Sequence, residues 1–278
     1  MIPGIIFRRA IFVYQMPKTG SQSIAAALEQ SGRAEPVLRF HFLSKEIAAT
    51  IRKGLRYERA NASWRRDARA QLALMRRVRL AIRARKVLAG CGARLPKLQV
   101  ITGVREPVAL AVSAMFENYA YAFPTGPEAL TACREAVLKP KTLHYLQSWF
   151  DLELKRMLGL DVYQQPFSPA RGFAIYENAL ARVLVFRFEA LGRAREMLRD
   201  FCGLEAPAVP RQNAGATKPY AEAYRYVRER LRLPGEFLAQ QYGSRMMRHF
   251  YTATERAQFL AQWCEAPGQA RTVEEMAA

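Results

Sequence analysis

Six consecutive residues carry the first chemical signal: Lys18, Thr19, Gly20, Ser21, Gln22 and Ser23. They follow an apolar, β-rich run, residues 10–16 (AIFVYQM), and precede a helix-like run, residues 23–32 (SIAAALEQSG). A loop between a buried strand and a helix N-terminus presents backbone N–H groups and a favourable dipole to an anion. Gly20 permits close approach of the backbone. Lys18 supplies a full positive charge, and Thr19, Ser21 and Ser23 supply hydroxyls. These parts suit a phosphate or a sulfate. The order is not that of a Walker A loop, because the lysine precedes the glycine. An ordinary βα turn with a surface lysine would use the same residues, so the loop alone does not decide.

In the stretch 100–116 (VITGVREPVALAVSAMF), Arg105 and Ser113 stand eight residues apart. Arg105 follows a predicted strand and can grip a phosphate bidentately. Ser113 lies in the helix that follows. Taken singly, Arg105 could make a salt bridge at the start of the helix, and Ser113 could be a small packing residue.

Proton transfer near neutral pH points to histidine. The chain has His41, His144 and His249. His41 ends the second predicted strand, 36–42 (PVLRFHF), on the sheet edge that carries the Lys18 loop. His144 sits beside Tyr145 and Trp149, where packing is expected. His249 could line an acceptor site or be structural. Glu29, Glu46 and Glu117 are alternative bases.

Together these residues resemble sulfotransferases, which use 3′-phosphoadenosine 5′-phosphosulfate (PAPS). Residues 18–23 resemble that family's 5′-phosphosulfate loop. Arg105 and Ser113 resemble its 3′-phosphate motif, in the same order and on the same kinds of element. The stretch 183–191 (VLVFRFEAL) is similar to a late strand of the family, with Glu189 structural. Residues 12–24 (FVYQMPKTGSQSI), 105–118, 149–167 and the cluster Asn213, Lys218 and Tyr220 resemble bacterial capsular polysaccharide synthesis proteins, themselves similar to carbohydrate sulfotransferases. The resemblance implies transfer of a sulfuryl group from PAPS to a carbohydrate hydroxyl, without a metal. It implies Lys18 and His41 as catalytic groups and Lys18, Thr19, Gly20, Ser21, Gln22, Ser23, Arg105 and Ser113 around the nucleotide. A late basic loop closes over the nucleotide in sulfotransferases. Arg211 and Lys218 could do so here, although the loop departs from the commoner Arg-Lys-Gly pattern. A P-loop kinase is the rival enzyme, but no strand ends in a clear Walker B aspartate. A basic adaptor for acidic polymer or membrane is the rival non-enzyme.

The elements that must position these residues alternate between strand and helix. Strands are expected at 10–16, 36–42, 97–104 and 182–189. Helices are expected at 23–32, over 44–95 in two pieces broken near 61–63, at 108–121, 141–158, 190–203 and 220–231, around 235–248, and at 252–264. This is the pattern of an α/β fold with a P-loop-like parallel sheet, flanked by helices and carrying helical insertions. One domain over 1–278 is expected, with an Arg-rich insertion at 44–95 and a frayed tail at 265–278. The chain has 278 residues, enough for a self-sufficient core. Cys91, Cys133, Cys202 and Cys264 form no CxxC pair, which fits a reducing compartment. The longest N-terminal apolar run is too short to span a bilayer. A cytoplasmic protein is expected, peripheral at the inner membrane face.

The net charge is +19. Residues 52–97 hold fifteen Lys and Arg against Glu58 and Asp67, a net +13. A nucleotide needs far less. This block predicts contact with an anionic or lipid-linked carbohydrate acceptor, or with acidic lipid; a solvated face is the plain alternative. Nucleic acid is not expected, because the aromatic interleaving of single-strand binders is missing.

Overall fold

The computed structural model describes residues 10–32, 35–44, 68–90, 97–118, 125–139, 143, 147–204 and 219–265. They fall into two compact units. The first draws on Met1–Val104, Ser148–Pro166 and Arg171–Pro210; the second draws on Arg105–Gln147, Phe167–Ala170 and Arg211–Ala278.

The first unit is built on one five-stranded sheet. Its strands are β1 (Ile11–Tyr14), β2 (Val37–Phe40), β3 (Leu98–Val104), β4 (Phe173–Glu177) and β5 (Ala181–Arg187). Their spatial order is β2-β1-β3-β5-β4. All neighbours are parallel except β4 and β5. Every residue of β1 is buried. That is why its sequence is apolar at successive positions rather than alternating: a parallel strand is covered on both faces.

Two helices cover one face, α1 (Ser21–Gln30) and α5 (Ala194–Cys202). Val13, Ile101, Leu184 and Phe186 pack there against Ile24, Ala25 and Leu28 of α1 and Met197, Leu198 and Phe201 of α5. Full burial of each large apolar side chain contributes about 1.5–3 kcal/mol. On the opposite face Phe12 meets Phe40 at 5.3 Å, and Tyr14 meets Trp149 edge-on at 5.3 Å. The Arg-rich region contributes α2 (Ala68–Gly90), which buries Ala81, Ala84 and Leu88. The remainder of the expected 44–95 helical region, 45–67 and 91–96, lies outside the described residues.

Several expected elements change form. The helix expected over 141–158 includes a π-helix, Phe150–Lys155, followed by one turn at Arg156–Leu158. The strand expected to reach 189 stops at Arg187, and Phe188–Arg193 coils into a 3₁₀ turn. Glu189 therefore leaves the sheet. The edge strand β4 has no counterpart in the sequence reading. Its burial is mixed, so it lacks the continuous apolar signal of its neighbours.

The second unit is helical. It comprises α3 (Pro107–Asn118), α4 (Gly126–Leu138), α6 (Ala221–Arg230), α7 (Gly235–Tyr242), α8 (Arg245–Phe250) and α9 (Ala253–Trp263). Phe116 of α3 packs on Tyr220 at 5.5 Å and edge-on to Tyr224 of α6 at 5.3 Å. The sequence reading has no element over 126–138, yet α4 buries Ala129, Cys133 and Val137 at helical spacing. The single piece expected around 235–248 is divided into α7 and α8, where the Ser244 side chain accepts a bond from the Met247 N–H and starts a new helix. Helix α9 begins with a capping box between Thr252 and Glu255.

Candidate active site

The loop from Gln15 to Gly20 leaves β1 and feeds α1. Lys18 sits in the left-handed region with φ 66°, alone among the described non-glycine residues. A long side chain held there costs on the order of 1–3 kcal/mol, and such outliers concentrate at functional sites. Gly20 is the N-cap of α1 with φ 92°, where a Cβ would also lie 3.3 Å from Leu191 Cδ2. Being glycine, it brings no capping side chain, and the first turn of α1 contains no acidic residue. The positive end of the helix thus meets neither a cap from Gly20 nor a first-turn carboxylate of its own. This is the arrangement an anion needs.

The loop residues divide by role. Thr19 is wholly buried, and its hydroxyl donates to the Met16 carbonyl at 2.8 Å. It shapes the loop from inside, leaving its backbone rather than its hydroxyl for a ligand. Ser23 is buried, Ser21 is half-buried and Gln22 is exposed. Beneath the loop lies Gly103 of β3. A Cβ there would sit 3.0 Å from the Thr19 carbonyl oxygen and 2.9 Å from Phe186 Cζ. The close fit of loop to sheet therefore requires glycine at 103, a requirement the sequence signals only as a glycine inside a strand.

His41 directly follows β2. Because Tyr14 and Phe40 are register partners in parallel strands, the two chains leave the sheet side by side. The Gln15 N–H donates to the Phe40 carbonyl at 3.1 Å. One residue on, His41 Nδ1 lies 2.9 Å from the Gln15 carbonyl oxygen. A carbonyl only accepts, so Nδ1 carries the proton and the neutral ring keeps its lone pair on Nε2. The ring is exposed. Its Nδ1 ties it to the residue that starts the Lys18 loop.

The segment after His41 is anchored from the π-helix and the turn before it. The Trp149 indole N–H donates to the His41 carbonyl at 3.0 Å. Glu153, wholly buried, accepts from the Tyr14 hydroxyl, from the Leu43 N–H at 2.8 Å, and from the Ser44 N–H at 3.0 Å and hydroxyl at 2.5 Å. A buried carboxylate is tolerated only when its oxygens are satisfied in this way. Glu153, Trp149, Gln15 and Gly103 were not singled out in the sequence. The available signal for Glu153 was an acid between two leucines, at 152–154.

The second motif lies in the helical unit. Arg105 comes immediately after β3 and is buried, and Ser113 is half-buried on α3. Between them Glu106 caps α3, accepting from the Val108 N–H at 2.8 Å and the Ala109 N–H at 2.6 Å. The Tyr242 hydroxyl also donates to Glu106, at 2.7 Å. Burial and the neighbouring Glu106 charge push the Tyr242 hydroxyl far above the usual phenol range. Anion binding at this motif would thus fall to the Arg105 and Ser113 side chains.

The remaining candidates are less informative. The His249 ring packs edge-on to Phe250 at 4.7 Å and against Phe167 at 6.2 Å, a packing role. Glu29 is exposed on α1. His144, Glu46, Arg211 and Lys218 lie outside the described residues, as does the side chain of Glu117.

Comparison with known proteins adds one match. Residues 131–252 match the NKWYS family model, described as "Putative capsular polysaccharide synthesis protein". The match covers less than half of the chain. It contains Trp149 and Glu153 but not the Lys18 loop, His41, Arg105 or Ser113. Neither the curated proteins nor the solved structures yield a match.

Proposed function

We propose that this protein is a PAPS-dependent sulfotransferase acting on a carbohydrate hydroxyl. The observation that carries the reading is the Lys18–Gly20 turn, which opens the N-terminus of α1 beside a histidine of fixed tautomer. PAPS supplies an activated sulfuryl group when bound. The first-turn N–H groups of α1 and the Lys18 ammonium hold and neutralise the 5′-phosphosulfate. His41 Nε2 accepts the proton of the attacking hydroxyl, while Lys18 offsets charge on the departing oxygen. Arg105 and Ser113 take the 3′-phosphate, an assignment that rests on their resemblance to the 3′-phosphate motif of sulfotransferases. Arg211 and Lys218 are assigned to nucleotide closure on sequence alone.

The family match supports a carbohydrate acceptor, since its description concerns polysaccharide synthesis. Calorimetric titration with adenosine 3′,5′-bisphosphate, with ATP as control, tests the nucleotide half. The reading requires binding of the bisphosphate and much weaker binding of ATP. A preference for ATP would instead support the kinase alternative.

A further inference from the structure

Helix α2 spans 23 residues and carries Arg69, Arg76, Arg77, Arg79, Arg83, Arg85 and Lys86 without a single carboxylate. At about 100° per residue, Leu72, Arg76, Arg79, Ile82, Arg83 and Lys86 fall within one arc of about 120°. All six are exposed. The buried Ala81, Ala84 and Leu88 lie on the opposite side. Among the described residues the exposed large apolar side chains are Leu72, at 58%, and Ile82, at 43%. Both belong to this one face, roughly 15 Å apart along the axis, with Arg76 and Arg79 of the same face between them. Isolated exposed aliphatics are common. Two on a single strip with four exposed cations have the composition of a helix lying in a membrane interface.

We propose that α2 docks lengthwise on an anionic lipid surface. Arg76, Arg79, Arg83 and Lys86 meet the head-group charges, and Leu72 and Ile82 enter the boundary with the acyl chains. Charge alone would fit a soluble acidic polymer equally well. Such a polymer offers no apolar phase, and the two aliphatics then have no role. No helix among the described residues is long and apolar enough to cross a membrane, so the contact is with the surface. This inference does not depend on the transferase reading, because none of its residues belongs to the Lys18 loop, His41 or the Arg105 motif.

Vesicle co-sedimentation of the full chain tests it. Wild-type protein should partition to vesicles of phosphatidylcholine with phosphatidylglycerol and not to phosphatidylcholine alone. The R76Q/R79Q/R83Q/K86Q variant should lose about 10²–10³-fold in partition at low salt, each cation near an anionic surface being worth several-fold. The L72S/I82S variant keeps every charge. It should bind less tightly and lose all partition at about 0.5 M salt, where screening removes the electrostatic share. All six positions are exposed, so both variants should melt as the wild type does. Failure of the wild type to bind anionic vesicles would overturn the proposal, as would unchanged binding by L72S/I82S at every salt concentration. Retention on an immobilised acidic polysaccharide, without partition to vesicles, would assign the face to a polymer and overturn it equally.

Discussion

The carbonyl oxygen of Gln15 accepts a hydrogen bond from His41 Nδ1–H at 2.9 Å, joining the ends of two neighbouring parallel strands. The bond leaves Nε2 as the basic atom and fixes the plane of the ring. His41→Ala should therefore keep nucleotide affinity and lose about 10²–10⁴-fold in turnover. His41→Asn should do no better, because an amide is not basic. Near-normal turnover in either variant would move the base elsewhere.

Lys18 combines a proposed catalytic role with backbone strain, and the two can be separated. Lys18→Gly relieves the left-handed conformation, a gain of up to about 1 kcal/mol after the entropy of the added glycine is counted. At about 2–4 °C per kcal/mol for a chain somewhat smaller than this one, the melting temperature should hold or rise by a few degrees. Sulfuryl transfer should collapse in the same variant. A lower melting temperature would show that the lysine stabilises the loop rather than straining it.

Arg105 is tested by ligand choice. Arg105→Ala should weaken adenosine 3′,5′-bisphosphate by about 10–100-fold, the worth of charge-assisted hydrogen bonds. Adenosine 5′-phosphate should be nearly unaffected. Equal losses for the two ligands would remove Arg105 from the 3′-phosphate.

Glu153 holds Leu43 and Ser44, just beyond His41. Glu153→Gln would aim an amide N–H₂ at groups that are themselves donors. At least one buried donor would be left unsatisfied, costing about 1–3 kcal/mol. Thermal unfolding should fall by about 2–12 °C. Turnover should drop more than nucleotide affinity, because the disturbed segment is the one that carries His41, the proposed base.

Alkaline pH should expose the helical unit. Burial pushes the Cys133 thiol on α4 from 9.0 up to about 12. A group kept protonated by folding ionises first in the unfolded chain. Stability from this source is complete below about pH 9 and is lost as pH rises towards 12, by at most about 1.4 kcal/mol per unit. The buried Tyr242 adds to the loss in the same direction at higher pH. Cys133→Ala should make the alkaline stability profile shallower. An unchanged slope between pH 9 and 12 would contradict the burial of the thiol.

What the sequence made legible follows from how locally each feature is encoded. The loop at 18–23 and the strand before it can be read from adjacent residues, because a buried parallel strand and a helix N-terminus both have short signatures. His41 could be placed on the same sheet edge because β2 follows α1 directly. The positions of Glu153 and Gly103 could not be read this way. Each matters through a partner far along the chain: Glu153 is 139 residues from Tyr14, and Gly103 touches Thr19. The π-helix at 150–155 also escaped, since its apolar spacing still passes for an α-helix. The edge strand β4 lacked a continuous apolar run.

Gly103 also sets an order of events during synthesis. The Thr19 stretch rests on the bare backbone of β3, so the turn around Lys18 lacks its floor until the chain through Val104 has left the ribosome. At about 5–20 residues per second, the N-terminal segment waits several seconds for that support. A nascent chain halted before residue 97 would display the lysine and glycine of the loop but not their shape.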